Sequence, residues 1–167
     1  MDAYSYLHNL RHNSPLIHNM TNQVVANFVA NGLLALGASP IMAYAEEEIA
    51  DITSICHATA LNIGTITSDT FHSMLLSGKA ANELAKPLVF DPVGVGASEY
   101  RLSCSQKLLK TAQITLIRGN AAEIAALCGI DWGAKGVDSG EGHYDPKCLV
   151  LEAAQKSTID NLSVLTS

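Results

Sequence analysis

Six short apolar runs, Pro15–His18, Pro40–Ala43, Ala58–Ile63, Pro87–Phe90, Ile114–Ile117 and Leu162–Thr166, read as strands without the inside/outside alternation of a half-exposed sheet. Helical stretches separate them. Strands of this kind joined by helices imply a parallel sheet covered on both faces, a three-layer α/β/α architecture. Pro15 suits the start of the first run, where no ladder donor is needed.

The helices follow from their punctuation. Residues 3–13 make a weak first helix. Thr21 or Asn22 is expected to cap a second through Leu36, with Val24, Val25, Phe28, Val29, Leu33 and Leu36 at helical spacing and Gly37 as the stop. Glu46–Ile55 opens with three glutamates that suit its positive end. Ser68 is expected to cap a helix to Ala85, and Glu99–Thr111 and Ala121–Cys128 follow. A loop rich in Gly and Asp (129–145) then precedes a helix to about Ser157. No helix follows Leu162–Thr166, so either something else closes the sheet or a longer pattern continues.

A chain of 167 residues suits one domain and can bury roughly 70% of the surface its unfolded form exposes. Only 16% of residues are charged against 48% apolar, which points to surface covered by other protein and hence to self-association. A net charge of −6 without a Lys/Arg cluster excludes a nucleic-acid groove or an anionic membrane face. Cys56, Cys104, Cys128 and Cys148 form no C-x-x-C and read as reduced core residues of a cytoplasmic protein. The polar amino terminus has no signal-peptide core, and no apolar run approaches the roughly 18 residues needed to span a membrane.

Two strand ends carry the chemistry. Asp91 closes Pro87–Phe90 before a loop with Gly94 and Gly96, which lets backbone N–H groups approach an anion; an Asp-Pro turn explains it equally well. The loop is no dinucleotide fingerprint, because the third glycine and the later acidic residue are missing. A Walker loop is excluded, since Gly-Lys-Ser/Thr occurs nowhere. Asn120-Ala-Ala-Glu123 matches a capping box, which accounts for Glu123 by itself. It does not account for Arg118, a fixed cation at a strand's carboxyl end beside Gly119, where room is left for a phosphate tail. In open α/β sheets, polar groups at such ends converge on one crevice. Asn22 and Met42 follow two earlier strands and could line it, although methionine is more often core. The Asn-Ile-Gly-Thr run at 62–65 gives another close backbone approach. His18, His57 and His72 lack metal spacing and read as structural or exposed.

Six segments together resemble one family: His18-Asn-Met-Thr-Asn22, Ala30 to Met42, Leu61-Asn-Ile-Gly-Thr65, Phe90-Asp-Pro-Val-Gly-Val-Gly-Ala97, Ile117-Arg-Gly-Asn120 and Lys135-Gly-Val-Asp138. The family is hydroxyethylthiazole kinase. The resemblance covers nearly the whole chain and implies a ribokinase-like α/β fold. It further implies phosphorylation of the hydroxyl of 4-methyl-5-(2-hydroxyethyl)thiazole with ATP and magnesium, in thiamine salvage, by a homotrimer with active sites between subunits. A pyrimidine or pyridoxal kinase of the same fold is disfavoured by the Asn22 to Met42 stretch.

Position by position, the resemblance implies that Asn22 and Met42 contact thiazole, with Gly64 and Thr65 near it. Arg118, with Asn120 in the same segment, falls to the ATP side; Asp91 and Glu123 help hold Mg2+, directly or through water. Thr166 stands in the family's strand-end Thr-Gly and would approach the nucleotide, with Ser167 in place of the glycine. The family's anion hole and proposed cysteine base belong to a later glycine-rich segment, so none of the four cysteines here inherits that role. The chain is therefore expected to correspond to the amino-terminal portion of such a kinase and to be a poor catalyst alone. The alternative is a non-catalytic remnant that binds thiazole or keeps the oligomer contact.

Overall fold

The computed structural model describes residues 2–130 and 163–166. Most of the expected 129–145 loop and the helix to Ser157 lie outside the described residues. Strands β1 (Leu16–Met20), β2 (Ser39–Ile41), β3 (Ala58–Asn62), β4 (Leu88–Asp91), β5 (Leu116–Gly119) and β6 (Ser163–Thr166) form one sheet in the order β2-β1-β3-β4-β5-β6. Every neighbouring pair is parallel. The helices are α1 (Ala3–Asn13), α2 (Ala26–Leu36), α3 (Glu46–Ile55), α4 (Ser68–Glu83), α5 (Glu99–Thr111) and α6 (Ala121–Cys128), with a 3-10 turn at Val95–Ala97.

The chain steps from β1 outward to β2, then returns past β1 to β3 and continues in the other direction. That reversal makes a topological switch between β1 and β3, and the crevice beyond their carboxyl ends is where open α/β sheets take ligands. Right-handed crossovers put α2 on one face of the sheet and α3 to α6 on the other. The core lies on the α3–α6 side: Met20, Leu61, Leu88, Phe90 and Ile117 of the strands meet Ile49, Met74, Leu108 and Ile124 of the helices. On β3 and β4, Leu61, Leu88 and Phe90 are buried, whereas Ala60 and Val89 between them are half-buried.

Helices α1, α3, α5 and α6 keep their expected bounds, and α2 and α4 differ at an end. Helix α4 is capped by Thr67, not Ser68: the Thr67 and Thr70 hydroxyls form a reciprocal capping box. The larger difference is α2, which starts at Ala26 with Val25 as its cap residue, neither Thr21 nor Asn22. Asn22 Oδ1 does accept the Val25 N–H (3.1 Å), the bond a cap residue makes three positions on, but it closes a separate turn ahead of the helix. Gly37 ends α2 as expected, at φ 101° with its N–H on the Leu33 and Leu34 carbonyls. No residue of α2 is buried, and Val24 and Phe28 are 85% and 80% exposed. The expected apolar stripe is present: Val25, Val29 and Leu33 are half-buried and α2 packs on β2, while Val24, Phe28 and Leu36 stay exposed.

His18 is structural, as the lack of metal spacing implied, and fully buried. Its Nε2 lies 3.0 Å from the Ala43 carbonyl, so Nε2 carries the proton and Nδ1 accepts from the Ser77 hydroxyl at 3.1 Å. Burial pushes its pKa below the ordinary 6.5. The unfolded chain thus binds a proton more readily, and stability must fall as pH drops through 6.5. Thermal melts of the protein are expected to be level above about pH 7 and to decline below. The His18→Gln variant should flatten that decline; an unchanged slope would assign it to other groups.

Candidate active site

At the carboxyl edge of the sheet, β1 and β3 deliver Asn22 and Asn62 to the switch point, and β4 and β5 deliver Asp91 and Arg118 beside them. Strands β4 and β5 run further than their apolar runs suggested, so Asp91 closes β4 in register with Asn62, and Arg118 lies within β5, whereas β2 and β3 stop short of theirs. Asn22 Nδ2 donates to Asn62 Oδ1 (3.1 Å), Asn62 Nδ2 donates to Asp91 Oδ2 (2.9 Å), and Arg118 Nη1 donates to the same oxygen (2.9 Å). One unbroken row of polar contacts therefore joins the residues expected on the thiazole side to those expected on the phosphate side.

Beside this row lies a cleft of about 440 Å3 lined by Met42, Thr65, Asn62, Tyr44, Thr21 and Met74, among others. Apolar walls with a few oriented polar groups are what a small heteroaromatic ligand requires. Met42, half-buried after β2, supplies one wall, and the Thr65 hydroxyl accepts the Gln23 N–H at 3.0 Å, tying the two rims together. Tyr44 fixes another edge: its hydroxyl donates to the Thr21 carbonyl and accepts the Thr21 N–H. Gly64 is required for space, because a Cβ there would sit 2.8 Å from the Asn22 Cβ and Nδ2.

On the other side, Glu123 is buried in the first turn of α6. Its Oε1 accepts the Gly94 N–H (3.0 Å) and its Oε2 the Asn120 N–H (2.9 Å), while Asn120 Oδ1 accepts the Glu123 N–H (2.9 Å). The expected capping box is present, and one of its oxygens also pins the glycine loop after β4. That loop does receive an anion, but the anion is Glu123. Likewise the space beside Gly119 is taken up by Glu123, whose Oε2 would lie 3.2 Å from an added Cβ.

Asp91 differs. Among the described residues its Oδ1 is buried without a hydrogen-bond partner, an expensive arrangement for a carboxylate unless a cation or donor completes it. Among the described residues no group of three or more His, Cys, Asp and Glu is disposed to hold a metal unaided. Arg118 is half-exposed, with 56% of its side chain in solvent, so its pair with Asp91 adds little stability. Thr166 ends β6 in register with Gly119, which brings it to the same edge.

Sequence reasoning missed two residues. Asn62 sits inside a run noted only for its glycine, and its importance follows from the strand order. Arg101 on α5 donates Nη1 to the carbonyls of Ile63 (2.7 Å) and Val93 (2.8 Å) and Nη2 to that of Gly64 (2.7 Å). It clamps the loop after β3 to the loop after β4, and no local signal around it announces this.

The model of the hydroxyethylthiazole kinase family matches residues 7–165. The chain belongs to the hydroxyethylthiazole kinase family. It is 52% identical over 147 residues to a hydroxyethylthiazole kinase of an Exiguobacterium species, covering 88% of this chain and 56% of that protein. A hydroxyethylthiazole kinase of Haemophilus influenzae is 51% identical over 151 residues, 90% of this chain and 57% of that protein. The chain thus spans little more than half the length of the curated relatives it matches. The solved hydroxyethylthiazole kinase of Pyrococcus horikoshii superposes with a TM-score of 0.84 at 40% identity, over 98% of this chain and 59% of that one. The fold is accordingly ribokinase-like α/β.

Proposed function

We propose that the protein is a kinase that transfers a phosphoryl group from ATP to the hydroxyl of 4-methyl-5-(2-hydroxyethyl)thiazole. The observation that carries this reading is the row from Asn22 through Asn62 and Asp91 to Arg118. It sets an apolar-walled cleft directly beside a carboxylate and a solvent-facing guanidinium. Asn22, Met42, Gly64 and Thr65 bound the alcohol side, and Arg118, Asn120 and Thr166 the nucleotide side. Residues 1–167 are read as one domain unit, in the cytoplasm, with small molecules as its ligands; no described helix is long and apolar enough to cross a membrane.

Magnesium fits the donors present at this edge. It is a hard cation that takes one or two carboxylates and completes its shell with water and phosphate oxygens. Asp91, with its unpartnered Oδ1, would hold it directly, and Glu123, whose oxygens already accept N–H groups, through water. When bound, the ion offsets charge on the phosphates being transferred. Arg118 orients those phosphates, and the cleft holds the alcohol and keeps water from it. A homotrimer agrees with the exposed apolar side chains of Val24, just ahead of α2, and Phe28, within it, which need cover.

The test is ATP-dependent phosphorylation of the thiazole alcohol by the purified protein, with sedimentation giving the subunit count of the same preparation. Arg118→Ala is expected to weaken ATP binding by about tenfold to a hundredfold and thiazole binding by less than about twofold. Equal losses for both ligands would contradict the assignment. Thiazole binding without turnover would favour the non-catalytic alternative.

A further inference from the structure

Asn62 touches both the alcohol side of the site and Asp91. Its Oδ1 accepts from Asn22 Nδ2 (3.1 Å) and from the Gly64 N–H (2.9 Å), and its Nδ2 donates to Asp91 Oδ2 (2.9 Å). The orientation of the amide is determined by its partners: turning it over would set an NH2 against two donors and an oxygen against a carboxylate. Asn62 also lines the cleft. Asp91 Oδ2 is shared between Asn62 and Arg118, so what happens to Arg118 is felt at Asn62.

We propose that Asn62 is a positioning residue that couples binding of the alcohol to binding of the nucleotide. The inference rests on the kinase reading above. When polyphosphate draws the Arg118 guanidinium away from Asp91, the carboxylate keeps Asn62 Nδ2 as its protein donor and holds it more strongly. That fixes Asn62 Oδ1, and with it the Asn22 amide and the Gly64 backbone against which the alcohol sits. Bound alcohol, by fixing Asn22, orders Asn62 and Asp91 in return. Each ligand thereby meets a site that the other has already ordered, which is positive coupling without a large movement.

The experiment is calorimetric titration of the full-length protein with the thiazole alcohol, without and with a saturating magnesium complex of a non-hydrolysable ATP analogue. In the parent protein the analogue is expected to tighten alcohol binding about tenfold, and the alcohol to tighten analogue binding by the same factor. Asn62→Asp keeps the acceptor for Asn22 and Gly64 and loses the donor to Asp91. Its affinity for the alcohol alone is expected to weaken, because Asn62 lines the cleft and the new carboxylate faces Asp91, and its coupling factor should fall to within about twofold of one. Asn62→Ala, which removes both contacts without adding a charge, should lose the coupling too, and its melt checks that it is folded. Coupling that survives in both variants, or is absent from a parent protein that binds both ligands, overturns the proposal. A parent protein that binds neither ligand overturns the kinase reading itself.

Discussion

Glu123→Ala is expected to cost about 3 kcal/mol of stability, a drop of about 10 °C in melting temperature for a chain of this size. The substitution deserts two backbone N–H groups at once, those of Gly94 and Asn120, each held by one carboxylate oxygen. Gly94 is buried, so water does not replace the lost acceptor there, and a buried donor without a partner carries its full desolvation cost. Loss of the carboxylate also removes negative charge from the first turn of α6, where the helix dipole favours it. Glu123→Gln separates structure from metal binding. Its one carbonyl oxygen can serve one of the two donors while its NH2 opposes the other, so it should fall about halfway between the parent and the alanine variant. A glutamine variant that melts like the parent but loses magnesium would show the carboxylate to be there for the ion.

How much of this was legible in the sequence depended on how local the cause was. Helices α3, α5 and α6 declare themselves through glutamates at an N-terminus, a Ser98 cap and a capping box, all acting within one turn. Thr67 won the cap of α4 over Ser68 because Thr70 three residues on can answer it. Asn22 makes the expected bond to the Val25 N–H but closes a separate turn with it, and its amide also reaches across the switch point to Asn62, a partner 40 residues away. Spacing along one chain cannot reveal such a partner. The same holds for Asn62 and Arg101, whose contacts lie on other loops, and for the glycines. Gly94 and Gly119 looked like space for a phosphate, and the group that fills that space, Glu123, is remote from Gly94 in sequence. Asp91 and Arg118 were legible because parallel strands deliver their last residues to a common edge whatever lies between them.

Asp91→Asn in the full-length protein is expected to lower kcat by about a hundredfold or more while leaving the melting temperature within a few degrees of the parent. The two halves of that expectation have one origin. Asp91 is three-quarters or more withdrawn from water, with 17% of its side chain exposed, and among the described residues only its Oδ2 has donors. A fold selecting for stability alone would not keep an anionic oxygen buried without a partner, and exchanging it for a neutral amide relieves that cost. Against the relief stands a worse fit at Oδ2, where Asn62 and Arg118 both present donors and an asparagine can offer one oxygen. These terms oppose each other, which keeps the net change in stability small. Nothing offsets the loss in catalysis, because phosphoryl transfer depends on fixed charge around the phosphates. A variant that keeps activity within about tenfold of the parent would remove Asp91 from the reaction. One that loses activity only in proportion to unfolded protein would make it a structural residue, with the row from Asn22 to Arg118 then serving the sheet edge alone.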